Sequence, residues 1–460
     1  MKVILMSIAI IMQIITFAVK ANNNVYNELS HLMKESHQRG LFNGNILIIH
    51  QGKTIFEKQV GFTNSSKNKK LSINSAFALG SITKEFNAVA IMMLHEKGLI
   101  DINASLSTFN LGFPSWSKKI KVKHLLNYTS GLPRLDFRAV KVVSDIEKQL
   151  KQIKALKFMP GEGYLYSNHN VFLQMKLIET ITKQSYVSFV DNNFFKPLGM
   201  KSTSFDSNQK NVTSAFNNEG KDDIIRPFPI AAMVHSTTTD MQKWLSALHK
   251  GKLISLSSLK VLFHAFNQNS NAALGKGLLI NNQIVKHRHQ GSHFNFESQL
   301  YYNGKLDLQV VLLTNNKNFK LDKITRAIES IVQSESYDIP KKSVYLSIRQ
   351  TAYDDIGQAL KRYSELKQAS PTLYDFDNNN ALIRIGYKLI EQKNYLSAIE
   401  IFTLSTREFP NHANAFDSLA EAYYLKGDLE RALSNYQISV KLNPKNELGV
   451  RQISKIKALL

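Results

Sequence analysis

Three short stretches of this chain carry residue types that could do chemistry together. Ser81 and Lys84 lie three apart in Ser81-Ile82-Thr83-Lys84, Tyr166 and Asn168 two apart in Tyr166-Ser167-Asn168, and His289 and Gly291 two apart in His289-Gln290-Gly291. A hydroxyl nucleophile needs a neighbouring base to accept its proton, and an amine or a phenol can serve. An amide beside the phenol can hold a substrate carbonyl. An edge of backbone near Gly291 and Ser292 could supply an N–H to a developing oxyanion. No stretch is informative alone, because Ser-x-x-Lys recurs at Ser66/Lys69, Ser115/Lys118 and elsewhere, and Tyr-x-Asn at Tyr301/Asn303. Their surroundings distinguish them.

Ser81 follows Ala76-Phe77-Ala78-Leu79-Gly80 and opens an apolar run through Phe86, Val89, Ile91 and Leu94 that stops at Gly98. A helix apolar nearly all round is buried, and Gly98 suits its C-terminal end. The expectation is that Ser81 lies in the first turn of this helix with Lys84 above it on the same face. The unpaired N–H groups of that turn then face an oxyanion. A simple N-cap role for Ser81 fits the same residues. Tyr166 follows the turn cluster Pro160-Gly161-Glu162-Gly163 and precedes a helical pattern over Val171–Ile181, so it belongs to a loop feeding a helix. The plainer alternative is a Tyr packed under that loop and an Asn168 cap. His289 to His293 stands between two regions of β character. Phe296–Tyr302, a turn at Gly304 and Leu308–Thr314 read as a hairpin, as do Gly44–His50 and Thr54–Val60 about Gln51-Gly52.

Taken in order, these motifs resemble those of the β-lactamase-related serine hydrolases, which include class C β-lactamases, penicillin-binding-protein-like enzymes, D-aminopeptidases and β-lactamase-like esterases. Leu125-Leu126-Asn127-Tyr128-Thr129-Ser130-Gly131-Leu132-Pro133, Pro160-Gly161 and Pro197-Leu198-Gly199-Met200 strengthen the likeness, which covers residues 25–335. The resemblance implies an α/β (α+β) fold, an antiparallel sheet flanked by helices with a helical subdomain and the site in the cleft between. It implies catalytic Ser81, Lys84 and Tyr166: a nucleophile, its activating partner and an acid/base serving the leaving group. It further implies substrate contacts at Asn168, His289, Gly291 and Ser292, with the N–H groups of Ser81 and Ser292 as oxyanion donors. No cofactor is implied, and the substrate would be a small-molecule or peptide ester or amide. One departure stands out. True β-lactamases and penicillin-binding proteins usually carry Lys-Thr-Gly at the third motif, where the Lys attracts a substrate carboxylate; here His289 takes its place. That weakens the β-lactamase reading and leaves the substrate class open, with a β-lactamase or a penicillin-binding D,D-carboxypeptidase as the runner-up to an esterase or peptidase. A catalytically weak binding protein on the same fold is the alternative of another class.

Rival chemistry is thin. There is no Gly-x-Ser-x-Gly elbow, P-loop or His-Glu-x-x-His. On a strand His287 and His289 would share a face, with His293 nearby, but no carboxylate or Cys sits at matching spacing, so no metal is expected. An apolar run from Val3 to Val19, followed by Val19-Lys20-Ala21, reads as a signal peptide over residues 1–21, directing the chain to a periplasmic or secreted destination, or as a retained anchor. The chain has no Cys, which excludes disulfides and a lipidated Cys. Residues 345–460 hold 15 Lys+Arg against 13 Asp+Glu, leaving 43 and 23 in residues 1–344. Such a basic domain suits an anionic cell-envelope surface, or simply well-solvated faces. Nucleic acid is the wrong compartment for an exported chain.

Self-similarity at 34 residues marks the C-terminal part: Gly386 pairs with Ala420, Ala398 with Ala432, Phe402 with Tyr436 and Pro410 with Pro444. A fainter unit holds Ala359, Tyr363 and Pro371, and Leu448–Leu460 is amphipathic enough to cap the stack. This resembles tetratricopeptide repeats, an all-α domain over residues 345–460 joined by a linker over 336–344. The array reads as a groove for a peptide or partner helix, or as a face that packs on the catalytic domain or dimerises.

Overall fold

Central strands that are buried on both faces build a six-stranded antiparallel sheet in the computed structural model, which describes residues 24–208, 210–224 and 234–460. The expected signal peptide lies outside the described residues. Strands β1 (Gly44–His50) and β2 (Lys53–Val60) turn at Gln51 and Gly52, whose φ values of 50° and 72° supply the left-handed geometry of a two-residue hairpin. β3 (Phe77–Ala78) and β4 (His235–Ser236) pair separately. β5 (Lys276–Ile280), β6 (Gln283–His293), β7 (Phe296–Asn303) and β8 (Leu308–Thr314) complete the large sheet in the order β2-β1-β8-β7-β6-β5, with Gly44 opposite Thr314.

Two helical layers cover this sheet. On one face, α1 (24–38) and α9 (Leu321–Val332) bury Leu29, Leu32, Ile324 and Ile328 against Ile46, Ile48, Val310 and Leu312. On the other face, α2 (Lys84–Glu96) and α7 (Thr238–His249) set Phe86, Val89, Trp244 and Leu245 against Leu300, Val311 and Leu313. The same core continues into a helical region of α3 (Val122–Leu126), α4 (Val143–Lys151), α5 (Asn168–Thr182) and α6 (Tyr186–Val190), with α8 (Leu256–Leu262) beside α2.

Three local expectations are corrected. Ser81 does not open α2: Gly80–Thr83 form a separate 3₁₀ turn, and the α-helix starts at Lys84. Gly80 has φ +56°, which bends the chain into that tighter turn, where side chains three apart eclipse. The helix after Tyr166 begins at Asn168 rather than Val171, because the Ser167 side chain caps it by accepting from the His169 N–H. The third motif lies within β6 rather than between strands.

The chain divides into two compact units between Ile339 and Pro340, inside the expected linker. The second unit is entirely helical: α10 (Val344–Asp354), α11 (Ile356–Ala369), α12 (Asn380–Glu391), α13 (Tyr395–Glu408), α14 (Ala413–Lys426), α15 (Leu429–Leu442) and α16 (Glu447–Lys457). Ala398 and Ala432 are fully buried at equivalent positions, as are the rings of Phe402 and Tyr436. Gly386 admits Phe402 so closely that a Cβ there would stand 2.2 Å from the ring. Gly386→Ala is therefore expected to destabilise the full chain by about 1–3 kcal/mol, despite the better helix propensity of Ala. Denaturant unfolding followed by helical circular dichroism checks it; an unchanged or higher midpoint would show that the ring has room to move.

Candidate functional site

Ser81 is presented by a short turn pinned on both sides. The Leu79 N–H donates to the Val234 carbonyl at 2.9 Å, and the Leu79 carbonyl accepts from Ser298 Oγ at 2.7 Å. Strand β6 passes directly against this turn. A Cβ on Gly291 would lie 1.9 Å from the Leu79 carbonyl oxygen, and a Cβ on Gly80 would lie 2.5 Å from the Ser292 nitrogen. Two glycines thus let backbone meet backbone, bringing the Ser292 backbone to the edge of the Ser81 turn.

Lys84 Nζ donates to Ser81 Oγ at 3.2 Å and the Tyr166 hydroxyl donates to the same oxygen at 2.9 Å. Lys84 Nζ also stands 5.4 Å from the centroid of the Tyr166 ring. Lys84 is buried, whereas Ser81 and Tyr166 are half-buried, so the cluster meets solvent through the hydroxyls. The three residues come from positions separated by 85 residues, yet they form one hydrogen-bonded unit.

The loop carrying Tyr166 is fixed by the segment after α3. Leu165 N–H donates to the Tyr128 carbonyl at 3.0 Å, Gly161 N–H to Thr129 at 2.8 Å, and Ser167 Oγ to the Pro133 carbonyl at 2.6 Å. Ser130 Oγ donates to Asn170 Oδ1 at 2.6 Å, locking the start of α5 to the same segment. Tyr128 is held at φ +58°, an uncommon conformation for an aromatic residue, with its ring 4.6 Å from that of Tyr166. Burial pushes the Tyr128 phenol well above its ordinary pKa, so it packs beside Tyr166 as a neutral ring. Asn168 is the first residue of α5, half-buried and two residues beyond Tyr166.

Behind the cluster lies a residue that the sequence reading missed. Glu85, next to Lys84, is completely buried, and its Oε1 lies 2.7 Å from His289 Nδ1 and 3.2 Å from His287 Nε2. Its Oε2 accepts from the Trp244 indole N–H at 2.7 Å. His249 Nε2 lies 3.0 Å from His287 Nδ1, and the His249 ring stacks on Tyr302 at 3.7 Å. Burial alone would raise the Glu85 carboxyl, but the His287 and His289 contacts outweigh it and hold it below the usual carboxylate range. The premise that no carboxylate accompanies His287 and His289 is therefore corrected: Glu85 joins them from another element, while His293 stays outside the group. These three offer ligand atoms within 4.8 Å of one another and are joined by hydrogen bonds at Glu85 Oε1.

A Ser–Lys–Tyr cluster between an antiparallel sheet and a helical layer holds the groups that acyl transfer through a serine requires. A profile of the Beta-lactamase family matches residues 27–333, and the chain belongs to that family. It is 28% identical over 344 residues to Protein flp of Staphylococcus aureus strain N315, covering 69% of each chain. Its fold resembles that of an octameric penicillin-binding protein homologue from Pyrococcus abyssi, with a TM-score of 0.60, 20% identity and coverage of 72% of this chain and 81% of that one. It also resembles D-amino acid amidase from Ochrobactrum anthropi SV3, with a TM-score of 0.57, 21% identity and coverage of 67% and 97%.

The Gly291 contact makes a direct prediction. Gly291→Ala must push β6 off the Leu79 carbonyl, and is expected to cost about 1–3 kcal/mol of stability. Thermal unfolding of the variant against wild type measures this; an unchanged midpoint would mean that the seam is looser than these distances.

Proposed function

We propose that the protein is an exported serine hydrolase that forms an acyl-enzyme on Ser81 and hydrolyses an ester or amide. The convergence of Lys84 Nζ and the Tyr166 hydroxyl on Ser81 Oγ carries this reading. For this step one member of the Lys84–Tyr166 pair must stand deprotonated, as amine or phenolate: as Oγ bonds to the substrate carbonyl carbon that group takes its proton, and the carbonyl oxygen becomes an oxyanion facing the N–H groups of Ser81 and Ser292. Collapse breaks the bond to the leaving group, which takes a proton from Tyr166. Water then adds to the acyl carbon and gives its proton to the same pair, which passes a proton to Ser81 Oγ as the acyl–oxygen bond breaks and the acid leaves. Asn168, at the head of α5, holds the acyl carbonyl side of the substrate.

His289 in place of a fixed cation favours esters and amides over carboxylate-bearing β-lactams. The second unit serves as a tetratricopeptide-like surface for a peptide or partner helix, a role supported by its repeating helix pairs with small residues at their crossings.

The test uses the chain from Asn22 onward with a short-chain p-nitrophenyl ester, following nitrophenol release and intact mass together. Ser81→Ala is expected to lose at least about 10³-fold in kcat and to show no acyl adduct. Lys84→Met and Tyr166→Phe are each expected to lose about 10²–10⁴-fold. Equal rates for wild type and Ser81→Ala, with no adduct on either, would overturn the acyl-enzyme reading for this substrate class.

A further inference from the structure

The residue that replaces the third-motif Lys has a defined hydrogen-bonding direction, set from behind. His289 and Gly291 both point inward from β6, at alternate positions shared by Val285 and His287. His289 therefore stands on the strand face that meets the Ser81 turn, the face on which Gly291 meets the Leu79 carbonyl. Its Nδ1 is 2.7 Å from Glu85 Oε1. An ionised carboxylate can only accept, so the nitrogen facing it must carry the proton. The same requirement holds at His287 Nε2, and the Trp244 indole can only donate. Three donors thus converge on one carboxylate in a fully buried pocket, which leaves Oε1 no proton to offer His289.

We propose that Glu85 is a positioning residue that fixes His289 as the Nδ1–H tautomer, so that Nε2 presents a lone pair to the site and selects substrates bearing an N–H or O–H donor there rather than a carboxylate. This rests on the acyl-enzyme reading for its setting and deepens it by naming a substrate class. A Lys at this position donates; His289 held in this way accepts, and the polarity of the subsite is inverted. Burial, followed by the opposing pull of Glu85, leaves the His289 imidazole below its ordinary pKa, so it stays uncharged at neutral pH. Behind it, His287 and His249 continue the chain to the stacked Tyr302 ring, keeping Glu85 from rotating away. The sequence neighbours Lys84 and Glu85 thus divide the work: one faces Ser81, the other the imidazole that frames the site.

Two measurements on the full chain test this. In protein labelled with ¹⁵N-histidine, the His289 signal, assigned by its loss in His289→Gln, should show a protonated Nδ1 and an unprotonated Nε2 at pH 7. In Glu85→Gln, whose side-chain amide can donate as well as accept, that tautomer ratio should shift. A doubly protonated or Nε2–H imidazole in wild type would overturn the proposal regardless of activity. Secondly, 3-carbamoylphenylboronic and 3-carboxyphenylboronic acids, which add to a serine nucleophile, are compared as inhibitors of ester hydrolysis. The carbamoyl compound should bind about tenfold more tightly, the scale of one well-made hydrogen bond, and His289→Lys should reverse the order. Equal inhibition by both, or preference for the carboxylate in wild type, would refute the selectivity. If neither inhibits and Ser81→Ala hydrolyses the ester at the wild-type rate, the acyl-enzyme reading fails instead, and the tautomer measurement still decides the role of Glu85.

Discussion

A carboxylate buried without partners is among the most costly features a fold can contain, and Glu85 is fully buried. It is tolerated because three donors reach it from two other elements, His287 and His289 from β6 and Trp244 from α7. Those contacts tie α2 to the sheet and to α7 at a single point. The ring of Trp244 simultaneously packs edge-on against Phe86 at 4.5 Å and Phe194 at 5.4 Å, so the polar contact sits inside an aromatic cluster. Removing one partner from such a buried set typically costs about 3–5 kcal/mol. This anion fixes the start of α2, beside Lys84, while Phe86 and Val89 anchor the helix through the core.

The second constraint is steric. Lys84 is useful only if Ser81 stands one tight turn away, and that turn exists because Gly80 adopts a left-handed conformation against Ser292. Gly291 faces the Leu79 carbonyl in the same seam. Polar anchoring behind the site and backbone contact at its front therefore act on the same two elements, α2 and β6. A shift of either would move the nucleophile and the oxyanion edge together. Preorganisation of this kind keeps a hydroxyl, an amine and a phenol in hydrogen-bonding range.

Much of this was legible in the sequence. The hairpins about Gln51-Gly52 and Gly304 and the buried helix ending at Gly98 follow from spacing and turn chemistry, and the observed strands agree; the gathering of Ser81, Lys84 and Tyr166 was implied only by the family resemblance, and the hydrogen bonds bring the three together. β6 was less legible, because its inward positions after Val285 are His287, His289 and Gly291, which look polar on both faces. Its alternation becomes apparent only once a buried carboxylate is known to lie beneath. Glu85 itself was hidden by its surroundings: one acid at the head of an apolar run reads as a solvated first-turn residue, and the partners that bury it are 159 to 204 residues away. The 3₁₀ turn was missed for a related reason, since its cause is the contact between Gly80 and Ser292 across the fold.

The pattern separates what local rules can reach from what they cannot. Turns, caps and periodicity act within a few residues, so they specify elements; the roles of Glu85, Gly80 and Gly291 arise between elements and appear only on assembly. Tyr128 illustrates the boundary. It lies in a stretch already noted for its likeness to the family, but its value comes from a strained backbone and a ring set against Tyr166, which no spacing predicts. Strain of that kind persists where surrounding bonds over-determine it, and here the bonds are those by which the Tyr128 and Thr129 carbonyls hold the Tyr166 loop. The phenol that reaches Ser81 is thus positioned by a segment nearly forty residues upstream, as the imidazole at the far wall is positioned by Glu85. Both walls of the site are aimed by groups that do not themselves touch Ser81.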